Sequence, residues 1–323
     1  MDLEMVLNDL SIQSPANSIP QARRLMEELI DTVVLATSPS HGVKRTIRTD
    51  SGLDHLLLAP DYTIAQWRND SAVRREMRSF FRTLTAHAPF LDGVLNQELV
   101  DKNNMCQFFH EGREAKGLGA AYLLDALALS LRSEPFWEES QINLSIVEMD
   151  EEGIIHEDQR ISVMHASMAT HVETHAAWIV ERIQADQKVS KGQNIWHNRE
   201  EWFPRLQFCD VVEAQLQILS SGHPLLHAIL KKLRELDGFC LQWHDGAFDT
   251  STMPFKVSPE SSTTLEQYWS ERTFRCPDGE ERLFSWHVRL TPNSWRIHFI
   301  PDDSTKRLII GYIGRHLPTA RYN

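Results

Sequence analysis

The feature that most constrains the fold lies near the C-terminus. Three runs rich in aromatic and branched residues, 282–290, 295–300 and 308–313, are separated by Thr291-Pro292-Asn293-Ser294 and by Pro301-Asp302-Asp303-Ser304-Thr305. Runs of this kind, broken by Pro, Asn, Asp and Ser, read as strands of an antiparallel β-meander. A four-residue loop at 291–294 sets Leu290 opposite Trp295, and every later pair follows from that one. Leu290/Trp295, Val288/Ile297 and Trp286/Phe299 then make an apolar face, while Arg289/Arg296 and His287/His298 oppose each other on the other face. Like charges directly opposed in a strand pair are unfavourable, so this surface is easier to understand if an anion sits on it. The third strand closes on Gly311-Tyr312-Ile313-Gly314-Arg315-His316, which is expected to bring Tyr312, Arg315 and His316 toward the same rim.

Charge agrees with a local anion site. The 323-residue chain carries a net charge of −12, so its overall field repels nucleic acid. Residues 270–323 hold nine Lys and Arg against six Asp and Glu, a net of +3 that leaves −15 on the rest. Histidine and arginine together suit cleavage of an RNA phosphodiester: imidazole moves protons from the 2′-hydroxyl and to the leaving oxygen, and guanidinium stabilises the phosphorane-like charge. Such chemistry requires neither a metal nor another cofactor. The bland meaning of the same pattern is a set of solvated strand residues on the open face of a half-buried sheet.

The run Trp295-Arg296-Ile297-His298-Phe299, an acidic loop and then Leu308-Ile309-Ile310-Gly311-Tyr312-Ile313-Gly314-Arg315-His316-Leu317 resembles the closing strands of RelE-like toxins, small ribonucleases of bacterial toxin–antitoxin systems. The resemblance covers only the meander. It implies a helix-plus-antiparallel-sheet fold and mRNA cleavage by basic residues, often on the ribosome, without a cofactor.

Ahead of the meander the chain reads as mostly helical. Ser18 and Pro20 mark a helix start, helical spacing runs over 63–86, and the apolar stretch 117–131 reads as one buried helix. Two strands at 142–164, joined by a Gly-containing turn, form a hairpin. Helical spacing returns over 168–185, 211–219 and 225–236, the last with Gly238 placed as a C-cap. The polar stretch 186–194 reads as a linker and 244–263 as irregular. With 41% hydrophobic and 24% charged residues, the expectation is a globular α+β chain of two domains. Residues 1–195 would form a mostly helical regulatory or docking domain, and 196–323 an α+β domain ending in the meander. No signal peptide or spanning segment is visible and the four cysteines form no CxxC pair, so a cytoplasmic protein with free thiols is expected.

Other patterns carry less chemistry. His171 and His175 have the i, i+4 spacing of a metal pair, with His165 nearby, but Glu173 points away from them and ordinary packing is the commoner meaning. Arg82/His87 and Arg160/His165 match the Rx4H pattern of HEPN ribonucleases, yet five residues separate side chains by about 140° on a helix and place them on opposite faces of a strand. Arg74, Arg78 and Arg82 share a helix face that is usually solvated. Trp67, Trp137, Trp178, Trp196, Trp202 and Trp243 are scattered like core anchors. No nucleotide-binding loop or nucleophile elbow is present.

The sequence thus points to a toxin-like, defence-associated bacterial ribonuclease with His287, His298, Arg296 and Arg289 as catalytic residues. Arg315, His316 and Tyr312 would bind substrate. RNA, alone or on the ribosome, is the expected partner. The competing reading is a non-catalytic RNA- or protein-binding subunit of a bacterial defence complex, docking through its acidic N-terminal domain.

Overall fold

A computed structural model describes residues 3–50, 52–85, 106–149, 155–188, 191–220, 223, 225–253, 255–290 and 295–320. The turns expected at 150–153 and 291–294, and His87, lie outside the described residues. The chain is α+β and divides into two compact units, the second beginning at Lys188. This division falls inside the 186–194 stretch, ahead of the expected boundary at 195/196. The helix Gly192–His197 belongs with the second unit because Gly192 lies flush on the backbone: an added Cβ would sit 1.9 Å from the Leu216 carbonyl oxygen.

The first unit combines its helices with a large sheet. Its strands are β1 (Met5–Leu7), β2 (Ile47–Arg48), β3 (Leu57–Ala59), β4 (Tyr62–Thr63), β5 (Cys106–His110), β6 (Arg113–Glu114), β7 (Leu127–Leu129), β8 (Gln141–Met149) and β9 (Ile155–Ala166). Seven of them form a mixed sheet in the order β2-β1-β7-β9-β8-β5-β6, parallel from β2 to β9 and antiparallel beyond; β3 and β4 pair separately. Met5, Leu7, Leu127 and Leu129 enter one core and Val6 and Ala128 another, so these three-residue strands are buried on both faces. The stretch 117–131 is therefore helix and then strand. Lys116–Leu124 ends at Asp125, whose φ of 47° is left-handed and turns the chain into β7. The region 63–86 likewise breaks into Ile64–Asn69 and Arg75–Thr85, because Asp70 is extended.

Two expectations about local structure hold. Ser18 Oγ accepts from the Gln21 amide at the start of Ile19–Ala36, and β8 and β9 form the expected antiparallel pair.

The second unit is built on β10 (Leu206–Phe208), β11 (Val257–Pro259), β12 (Thr273–Arg275), β13 (Glu281–Leu283), β14 (Trp286–Leu290), β15 (Trp295–Asp302) and β16 (Arg307–Arg315). The meander β14-β15-β16 is the centre of a five-stranded sheet. β10 adds parallel to β16, and β11 adds antiparallel to β14 from the stretch read as irregular. The apolar face of Trp286, Val288, Ile297 and Phe299 packs with Phe248 and the helix Leu225–Gln242. That helix runs through Gly238 rather than ending there, since Phe239 and Cys240 remain buried beyond it.

The opposite face of the sheet is covered by the β12–β13 hairpin and Phe284. Gly311 is the extra residue of a bulge: Phe299 pairs with Ile310 while His298 pairs with Tyr312. A Cβ on Gly311 would lie 2.4 Å from the ring of the fully buried Phe284. Gly311→Ala is expected to destabilise the second unit by about 1 to 3 kcal/mol through overpacking. Hydrogen exchange of β15 and β16 measures this directly, and unchanged protection would show that the ring yields freely.

Candidate functional site

The observed register of β14 and β15 pairs His287 with His298 and Arg289 with Arg296, as the sequence requires. On β16, His298 faces Tyr312 and Arg296 faces Gly314. Alternation then puts His316 with Tyr312 and Gly314 on the His/Arg face. Arg315 pairs with Trp295 on the opposite face and is exposed, so it does not join this rim.

The face is not an open, solvated one. Arg296 and His298 are each 1% exposed, and His287, Arg289, Tyr312 and His316 are half-buried. Phe274 of the covering hairpin stacks on Tyr312 with ring centroids 5.9 Å apart, and Tyr312 meets His298 edge-on at 5.7 Å. The Tyr312 hydroxyl donates to the Arg315 carbonyl at 2.9 Å.

Two residues that sequence spacing did not suggest complete the cluster. Glu260 follows β11, and its amide donates to the Ser285 carbonyl at 2.8 Å, which anchors it beside the start of β14. Arg272 precedes β12 and is fully buried; its carbonyl accepts from the Phe284 amide at 2.8 Å. One carboxylate oxygen, Glu260 Oε1, lies 3.1 Å from His287 Nδ1, 3.4 Å from Arg272 Nε and 3.8 Å from His298 Nδ1. The Glu260 side chain is 5% exposed. None of these contacts is aligned as a hydrogen bond, and His298 has no partner on either ring nitrogen. The two imidazoles are themselves close, with centroids 5.4 Å apart.

The electrostatics follow from this crowding. Burial opposes ionisation of Glu260, but contact with His287 and the fields of His287, Arg272 and His298 outweigh it and hold the carboxyl down at about 2. Burial lowers the His287 imidazole despite Glu260, with Arg296 and His316 acting in the same direction as burial. His298 is pushed well below the usual histidine range, first by burial and then by His287. The cluster thus holds a fixed anion and two fixed cations, Arg272 and Arg296, around buried imidazoles.

The other sequence candidates resolve into structure. His171 and His175 are buried, but His175 Nε2 donates to the carbonyls of Ser140 and His165, at 2.7 and 3.1 Å. His165 is buried and Arg160 exposed on the same strand. Arg74 pairs with Glu27 at 2.6 Å, and Arg82 reaches the Arg68 carbonyl at 3.2 Å. Trp67 and Trp137 are wholly buried. Cys209, Cys240 and Cys276 are free and buried. Among the described residues, no helix is long and apolar enough to cross a membrane.

Comparison with known protein families, curated proteins and solved structures finds no match to this chain.

Proposed function

We propose that the second unit acts on RNA phosphodiesters, as a toxin-like, defence-associated ribonuclease whose reacting surface is the rim of the His/Arg face. The observation that carries this reading is the shared face itself: His287, His298, His316, Arg289 and Arg296 lie on one side of the sheet, with Arg272 behind and one carboxylate among them. Cationic groups held in a dry sheet need no reorganisation when charge develops on a phosphate. The half-buried His287 and His316 are the imidazoles within reach of a polymer. Arg289 steers the backbone. The buried Arg296 and Arg272 supply field rather than contact, and a cytoplasmic RNA, free or on the ribosome, is the substrate.

The burial of Arg296 and His298 favours a second reading, a non-catalytic subunit of a bacterial defence complex. In that case the rim binds RNA or an acidic protein without turnover, and the acidic N-terminal unit docks to a partner. RNA cleavage, measured with and without ribosomes, separates the two. Wild type is expected to cleave, and His287→Ala/Arg296→Ala, matched for folding by circular dichroism, to lose at least about 100-fold, the usual contribution of a positioned proton carrier. Cleavage that survives the double substitution overturns the assignment of the face. RNA binding without cleavage by wild type selects the second reading.

A further inference from the structure

The geometry points to a divalent metal site at Glu260, His287 and His298, for a borderline transition-metal ion of the zinc class. Among the described residues this is the one group of three or more His, Cys, Asp or Glu whose ligand atoms converge, all within 4.8 Å of one another. It departs from the expectation that the face works without a metal, and it stands on the cluster alone, independent of whether RNA is the substrate.

Three observations carry it. The donor set is two imidazoles and a carboxylate, which suits zinc and neighbouring ions and leaves further coordination positions open. The spacing is close to what an ion imposes. Ligand atoms about 2.0 to 2.2 Å from a tetrahedral zinc ion lie roughly 3.3 to 3.6 Å from each other; Glu260 Oε1 is 3.1 Å from His287 Nδ1 and 3.8 Å from His298 Nδ1, and all three lie within 4.8 Å of one another, so side-chain adjustment closes them round an ion. Finally, Glu260 Oε1, His287 Nδ1 and both nitrogens of His298 are buried with no aligned hydrogen-bond partner. Buried polar atoms in a packed sheet are otherwise paired, since each one left unmade costs about 1 to 3 kcal/mol. A cation accepting lone pairs from Glu260 Oε1, His287 Nδ1 and His298 Nδ1 removes that cost for three of these four atoms.

Arg272 sets the character of the site. Its Nε lies 3.4 Å from Glu260 Oε1 without donating to it, and its Nη2 reaches the Leu317 carbonyl at 3.5 Å. With Glu260 ionised, Arg272 and Arg296 charged and neutral imidazoles as ligands, a dication leaves the cluster at +3. That excess is offset by an anionic oxygen in an open position, such as hydroxide or a phosphate oxygen. Were the ion bound, His287 would become a ligand, and His316 would remain as the half-buried imidazole of the rim.

The test is uptake of Zn²⁺ by the full-length chain, read without RNA. The protein is stripped with chelator, loaded with Zn²⁺, dialysed against metal-free buffer and analysed for metal content, beside Glu260→Gln and His298→Gln. One equivalent is expected in wild type. Affinity is expected to fall by roughly 100-fold or more in either variant, because losing a ligand costs at least as much as losing its supporting shell. No retained metal in wild type, or equal retention in both variants, overturns the site. If the variants do not fold, Co²⁺ in the wild type decides. Intense visible ligand-field bands at one equivalent support the site, and the pale spectrum of the aquo ion overturns it.

Discussion

Arg272→Ala is expected to open the second unit locally, at a cost of about 3 to 5 kcal/mol, the usual effect of stripping one partner from a buried ion pair. Arg272 is wholly buried and Glu260 nearly so. Removing the guanidinium leaves the carboxylate among imidazoles that burial keeps from becoming cations. Arg272 is held at the foot of the β12–β13 hairpin, its carbonyl accepting from the Phe284 amide, so the penalty falls on packing of that hairpin against the sheet. Replacing both partners, as Arg272→Met with Glu260→Gln, is expected to recover most of the loss, because two buried charges are then gone instead of one. A chain of two units has no single unfolding midpoint. The measurement is therefore hydrogen exchange of β14 to β16 in wild type and the two variants. Protection within about 0.5 kcal/mol of wild type in Arg272→Ala, the range of an ordinary surface change, would show that the pair is not structural.

The same pair explains why the site was only half legible in the sequence. His287, Arg289, Arg296 and His298 share two strands joined by a short connection, so period-two alternation and one loop length fixed which of them face each other. Glu260 and Arg272 reach the cluster from segments 27 and 15 residues ahead of His287, where no local period links them to a strand that has yet to form. The signals were faint: a Ser-Pro-Glu-Ser run whose Ser261 caps Ser262–Gln267, and a buried arginine before a short hairpin. The covering of the His/Arg face was also hidden. β12 and β13 are three residues each, too short for alternation to show, and the Phe274–Tyr312 stack joins residues 38 positions apart.

In the first unit one misreading has a clear physical source. Strand β7, three residues long and buried on both faces, carries no alternation, so the apolar stretch 117–131 reads as one helix. The left-handed turn at Asp125 is what separates Lys116–Leu124 from β7, and an aspartate in that conformation leaves no pattern in hydropathy. The β8–β9 hairpin was legible because its strands run to 9 and 12 residues.

Those buried strands meet at a histidine, and its protonation gives a second large effect. His165 Nδ1 lies 2.6 Å from the Glu139 carbonyl and so must donate; Nε2, 2.7 Å from Ser130 Oγ, then accepts the serine proton, and Ser130 Oγ accepts from Asn8 Nδ2 at 3.0 Å. This chain fixes a neutral imidazole and ties β1, β7 and β9 together. Burial, with His171, His175 and His110 adding repulsion, lowers the imidazole from 6.5 to about 4. The unfolded chain therefore takes up the proton between pH 6.5 and 4 and the folded chain does not. Stability from this group is complete above pH 6.5 and is lost as the pH falls toward 4, by about 3 kcal/mol at 1.36 kcal/mol per unit. Comparison of wild type with His165→Gln isolates the step from the titration of carboxylates. Hydrogen exchange of β7 to β9 at pH 7 and pH 4.5 is expected to show wild type losing about 2 to 3 kcal/mol more than the variant across that interval. Equal losses in the two proteins would mean that the imidazole titrates freely and that the Asn8–Ser130–His165 chain does not hold it neutral.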